Sequence, residues 1–107
     1  MSDSSPHEDA ADVFAERARA EYGDSIAHLV VFGSTVRGET RGIDSDVDVF
    51  LVLSDPTVER PLRDLAYDVG LEYGLVFSVH TLTTERFDAR KNHPFVRTVF
   101  EEGRSYA

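Results

Sequence analysis

Apolar and polar positions along the chain fall into alternating helical and strand periods. Between Asp9 and Tyr22, residues Ala10, Val13, Phe14, Ala18 and Tyr22 recur at the spacing of one helix face, and Gly23 follows as a stop. Residues 26–32 form the first predicted strand, ending in the apolar run Leu29-Val30-Val31-Phe32. Thr35 to Gly38 starts a short helix, Glu39 to Asp44 is a polar loop, and Asp46 to Leu53 is the second strand. Ser54-Asp55-Pro56 reads as a turn. Pro61 suits the first turn of a helix whose apolar stripe is Leu62, Leu65, Ala66, Val69 and Tyr73, stopped by Gly74. That helix works as a crossover, so the second strand and the third, Leu75 to Leu82, are expected to be parallel. Thr83 to Arg90 is a short helix with Thr as cap, and Asn92-His93-Pro94 breaks it. Phe95, Val96, Val99 and Phe100 mark a last amphipathic helix ending at Gly103, with both Phe side chains read as core. Met1 to Glu8 lacks an apolar pattern and is expected to be a disordered tail, leaving 9–107 as one domain. The fold class is α/β (α+β), a short mixed sheet flanked by helices.

At 107 residues and 41% hydrophobic, the chain suffices for one small core. It has no apolar run of about 18 residues and no secretory pattern, which predicts a soluble, cytoplasmic protein without a membrane partner. Without Cys, disulfides and thiolate metal sites are excluded. The net charge is −9, and ten of the 11 basic residues are Arg, with Lys91 the one Lys. An acidic surface that prefers Arg to Lys predicts a high-salt, halophilic cytoplasm; a merely acidic mesophilic protein is the alternative. The charge argues against direct nucleic-acid binding, which needs a basic patch, but not against a nucleotide screened by a metal.

Chemistry concentrates where the first two strands face each other in sequence. Gly33-Ser34 follows the first strand directly and offers backbone N–H groups and a hydroxyl to a phosphate. Ser45-Asp46-Val47-Asp48-Val49 opens the second strand. Residues i and i+2 of a strand share a face, so Asp46 and Asp48 project together, away from Val47 and Val49. Paired carboxylates repel unless a cation or donors compensate, and oxygen donors suit Mg²⁺ or Mn²⁺. Loop capping by Asx-type hydrogen bonds is the alternative for a lone Asp-x-Asp; the neighbouring Gly-Ser turn favours metal ligands. Arg37 either reaches a phosphate or pairs with Asp44, Asp46 or Asp48. Asp44 lies in the loop and is not expected to be a ligand, and His7 is given no role.

The stretch Gly33-Ser34-Thr35-Val36-Arg37-Gly38, followed by Ser45-Asp46-Val47-Asp48, resembles the signature of the DNA polymerase β-like nucleotidyltransferase superfamily. The short chain is similar to its minimal nucleotidyltransferases, the MNT proteins, from about Ile26 onward; His93-Pro94-Phe95-Val96 and the residues after it also resemble their C-terminal end. Thr35 to Ser45 is one residue longer than the family's usual gap, a tolerable loop insertion. The resemblance implies ATP bound through Gly33, Ser34, Arg37 and Ser45, and Mg²⁺ (or Mn²⁺) held by the catalytic Asp46 and Asp48. It also implies a HEPN-domain ribonuclease toxin as partner in a hetero-oligomer, the chain being the antitoxin that adenylylates a tyrosine of the toxin.

One departure stands out. The superfamily's third carboxylate usually lies on a later strand, yet the predicted third strand has no Asp or Glu. Ser78 or His80 stands closest to that position, on one face with Val76 and Leu82. His80 is either a base or a hydrogen-bonded structural residue. The departure motivates a second expectation, a catalytically degenerate module that neutralises or regulates a helical partner by binding alone. A regulatory or substrate-positioning subunit for a non-toxic helical partner is a third.

Overall fold

The computed structural model describes residues 6–32 and 47–107. Helix α1 spans Pro6–Tyr22, so the chain is helical from Pro6 and not from Asp9; residues 6–8 belong to the helix and not to the expected tail. Pro is suited to a first helical turn because its missing N–H has no intrahelical partner there. Strand β1, Ile26–Phe32, follows a single 3₁₀ turn at Gly23–Ser25. Strand β2 is Val47–Leu53. Asp55 then caps a 3₁₀ turn, Pro56–Val58, by accepting the Thr57 N–H at 2.9 Å. Helix α2, Glu59–Tyr73, ends at Gly74, which has φ 67° and donates its N–H back into the last turn. Only Gly adopts that left-handed conformation without a Cβ penalty.

Strand β3 is Phe77–Thr83, starting two residues later than the apolar run suggests. Thr83 caps helix α3, Thr84–Arg90, by accepting the Arg86 N–H at 3.2 Å. Helix α4, Pro94–Glu102, starts at the His93 cap, whose Nδ1 accepts the Phe95 N–H at 3.2 Å. The two-residue strand β4, Arg104–Ser105, is an addition that no sequence pattern announces.

The sheet runs in the order β3-β2-β1-β4. β1 is antiparallel to both β2 and β4, whereas β2 and β3 are parallel, as the α2 crossover requires. The result is the expected short mixed sheet between helices. Each face has its own core. On one side Phe14 and the alanines of α1, with Leu62, Ala66 and Val69 of α2, cover Leu29, Val31, Val47, Val49, Leu51 and Leu53. On the other, Val96 and Val99 of α4 cover Val30, Phe50 and Val52, with Phe87 of α3 beside them. Gly103 lets the end of α4 pass close to β1, since a Cβ there would run into the Val30 side chain and stand 2.5 Å from the Val99 carbonyl oxygen. Among the described residues no helix is long and apolar enough to cross a membrane.

Candidate functional site

The strand register places the site residues in rows across the sheet. Asp48, the second residue of β2, lies opposite Phe32 of β1 and Ser78 of β3. The next row on the same face is Val30, Phe50 and His80. Val47 and Val49 are wholly buried on the opposite face, under α1 and α2. Alternation along β2 therefore aims Asp48, half-buried, toward the α3/α4 side. The Val47 N–H donates to the Val76 carbonyl at 3.1 Å and carries the β2–β3 pairing one residue past the aspartate.

Ser78 occupies the position opposite Asp48 on the parallel strand, and no residue of β3 carries a carboxylate. Ser78 Oγ lies 3.4 Å from His80 Nε2. The His80 ring centroid is 5.7 Å from that of Phe32, although their strands lie on opposite sides of β2. Adjacent strands are about 4.8 Å apart, so the two rings lean toward each other over β2. Phe95 at the start of α4 completes the group, 5.7 Å from Phe32 and 5.9 Å from His80. Phe95 is a correction to the sequence reading: it is 44% exposed and covers the end of the core from outside. Phe100 does pack against the second core, through edge contacts with Phe50 at 6.0 Å and His28 at 5.2 Å.

Beside these rings lies a cleft of about 170 Å³ lined by Phe50, His80, Arg90, His93, Phe95 and neighbouring residues. The sequence singled out His80 but gave no sign that Arg90, His93 and Phe95 converge on it. They are brought together by the turn between α3 and α4.

Of the residues expected to form the site, Asp48 is placed as described. Gly33, Ser34, Arg37, Ser45 and Asp46 lie outside the described residues, as do the short helix and polar loop expected between the first two strands. Among the described residues no three His, Asp or Glu side chains form a ligand set. The donors on the Asp48 row are nevertheless all oxygen, a carboxylate facing a hydroxyl. Hard oxygen donors fit Mg²⁺ or Mn²⁺ better than a softer metal.

A nucleotidyltransferase domain family matches residues 12–106. A protein of Methanocaldococcus jannaschii named "Putative protein adenylyltransferase" is 32% identical over 97 residues, covering 91% of this chain and 94% of the relative. No solved structure matches the chain significantly. Nucleotidyltransferase domains generally use a divalent metal and a nucleoside triphosphate, and by the extent of the match this chain belongs to the nucleotidyltransferase domain family.

Proposed function

We propose that the chain is an antitoxin that transfers AMP from ATP to a tyrosine hydroxyl of a partner HEPN ribonuclease toxin. The observation that carries this reading is the position of Asp48. It stands at the start of a buried strand, directly opposite Phe32, the residue that leads into Gly33-Ser34, and has the hydroxyl residue Ser78 opposite it on the other side. The family assignment supports nucleotidyl transfer, and the name of the archaeal relative favours a protein acceptor.

In this mechanism Asp46 and Asp48 hold Mg²⁺, and Gly33, Ser34, Arg37 and Ser45 hold the triphosphate. When bound, the metal neutralises charge on the phosphates and at the α-phosphorus. The acceptor oxygen forms a bond to the α-phosphorus as the bond to the β-phosphate breaks. The hydroxyl proton leaves to a base and pyrophosphate departs. The rigid β1–β2 pair fixes Asp48 relative to the β1 end, which supports the positioning on which such catalysis rests. Mass spectrometry of the partner after incubation with the chain, ATP and Mg²⁺ in high salt tests the proposal. A gain of one or more AMP units, lost in Asp46→Asn, is expected. An unchanged partner mass with the wild-type chain would rule the activity out.

The absence of a carboxylate on β3 favours a second reading, a binding module on the same fold. In that case Asp46→Ala with Asp48→Ala still neutralises the partner. Loss of neutralisation with an intact complex removes this reading.

A further inference from the structure

Strand β3 is an outer strand of the sheet, with β2 on one side only. The Val47 N–H donates to the Val76 carbonyl, so Val76, Ser78, His80 and Leu82 turn their backbone groups toward β2. Alternation turns the N–H and C=O groups of Phe77, Val79 and Thr81 outward. Natural sheet edges are blunted by charge, Pro or bulges, because an open edge templates pairing with another strand. This edge is not: Tyr73 to Thr84 contains no Asp, Glu, Lys, Arg or Pro, and the β2–β3 register runs unshifted from Phe77 to Thr83. Arg63 of α2 reaches the edge and donates from Nη1 to the Val79 carbonyl at 2.9 Å. A carbonyl has a second lone pair, so Val79 can still accept from another strand.

The helix beside this edge is open as well. Three of the four large apolar side chains exposed among the described residues are here, Tyr67 at 68%, Leu71 at 65% and Val76 at 55%. Tyr67 and Leu71, one turn apart on α2, line a groove of about 310 Å³ with Arg63, Leu75, Val76 and Phe77. Arg63 reaches Val79, and Gly70 lies against Leu75 and Phe77. Tyr67, between Arg63 and Gly70 on the helix, therefore stands over the stretch from Phe77 to Val79. The apolar strip is two layers deep, a strand and a helix.

That depth selects the occupant. An extended peptide added to β3 lies in the plane of the sheet and leaves Tyr67 and Leu71 in water. A second copy of the chain brings a strand and a helix at the same spacing. Charge favours the same choice. At a net charge of −9, most of the surface repels another copy. β3 is uncharged, and the helix residues flanking the strip, Arg60, Arg63, Asp64 and Asp68, carry both signs.

We propose that two copies of the chain associate through β3. The two strands pair antiparallel about a two-fold axis near Ser78, perpendicular to the sheet, and Tyr67 and Leu71 of the two α2 helices pack together beside them. Each copy then offers the same patch, as a two-fold interface requires. The two four-stranded sheets become one, with both Asp48–Ser78 rows on one face. A strip about 23 Å long and about 20 Å deep gives on the order of 500 Å² per copy, below the roughly 800 Å² of a standard interface. The association is therefore weak and concentration-dependent.

Sedimentation velocity and amide hydrogen exchange on the full chain, over a concentration series in high salt to screen repulsion between copies, test the proposal. A monomer–dimer equilibrium is expected. Exchange at Phe77, Val79 and Thr81 should slow as the dimer forms, while Ser78, His80 and Leu82, already bonded to β2, stay as they were. Tyr67→Glu sets two carboxylates against each other at the axis and should weaken the dimer about tenfold or more. Circular dichroism of the dilute variant checks that its fold is intact. Leu71→Ala should weaken the dimer by a smaller factor and covers the case in which Tyr67→Glu does not fold. A monomer at every concentration overturns the proposal. So does a dimer in which Phe77, Val79 and Thr81 exchange as fast as in the dilute chain, or one that both substitutions leave unchanged. None of these measurements involves AMP transfer, so their outcome is separate from that of the enzyme reading.

Discussion

The α1/α2 face of the sheet is closed mainly by aliphatic side chains, whereas the α3/α4 face is closed largely by rings. On the first, Ala10, Ala11, Ala15 and Ala18 let α1 lie close against α2 and β1, and the covered strand residues are 0–2% exposed apart from Ile26 at 8%. On the second, Phe32, Phe50, Phe87, Phe95 and Phe100 meet edge-on or tilted, and a cleft remains between them. Small side chains permit close approach and leave little space. Rings packed at angles cover as much area but leave gaps at their edges. The polar residues Asp48, Ser78 and His80 lie on the ring side, at the end of the sheet from which Gly33-Ser34 continues. One face is thus closed tightly, whereas the other carries the polar row and an open cleft.

The sharpest test of that division is a ring deletion on each face. Phe14 is wholly buried and packs 5.6 Å from Phe77. Phe14→Ala is expected to cost about 3–5 kcal/mol in urea unfolding, a large part of a small domain's stability of about 5–15 kcal/mol. Phe95→Ala, partly exposed from the start, should cost about 1–2 kcal/mol. Equal losses would show that the two faces do not differ in kind.

Asp48→Asn asks the reverse question. It keeps shape and removes charge on the ring side, so AMP transfer should fall on the order of 10²-fold or more with the unfolding midpoint unchanged. Retained transfer would remove Asp48 as a required ligand. A large drop in the midpoint would instead make the residue structural.

Much of this division was legible in the sequence. Alternation along Val47-Asp48-Val49 placed the aspartate opposite the buried valines, and the apolar stripe of α2 ending at Gly74 marked a crossover compatible with a parallel β3. On the condition that β3 lies beside the aspartates, Ser78 or His80 stood closest to the missing carboxylate's position, and the register puts Ser78 opposite Asp48. The lean of His80 over β2 was not legible, because it depends on Phe32 and Phe95, which are distant in sequence. Phe95 read as core because its helical spacing from Val96, Val99 and Phe100 says nothing about where α4 overhangs the sheet. β4 escaped notice because two residues, Arg104 and Ser105, carry no period; they pair with Val30 and Val31 because Gly103 turns the chain against β1.

Gly103→Ala tests that close approach at smaller amplitude. The added methyl meets the buried Val30 side chain and the Val99 carbonyl, so α4 must shift on the ring side. The expected cost is about 1–3 kcal/mol. Broadened amide resonances should be confined to α4, β4 and the neighbouring part of β1. Uniform broadening across α1 and α2 would mean that the two faces are coupled.

The smallest effect concerns pH and belongs to the aliphatic face. Tyr106 packs against that core, and its hydroxyl donates to Asp12 of α1 at 2.5 Å. Burial, and then the hydrogen bond to Asp12, hold its pKa above the ordinary tyrosine value. The folded state therefore keeps this proton at a pH where the unfolded state has lost it. The stabilisation is complete below the unfolded pKa near 10 and disappears as pH rises through the higher folded value. Urea midpoints at several pH values between about 9 and 11 should fall with pH, and the fall should be shallower in Tyr106→Phe, which has no proton there to lose. Parallel curves for the two proteins would mean that Tyr106 ionises in the folded state as readily as in the unfolded one. The contact between the C-terminal segment and α1 would then contribute packing to the aliphatic face and no pH dependence.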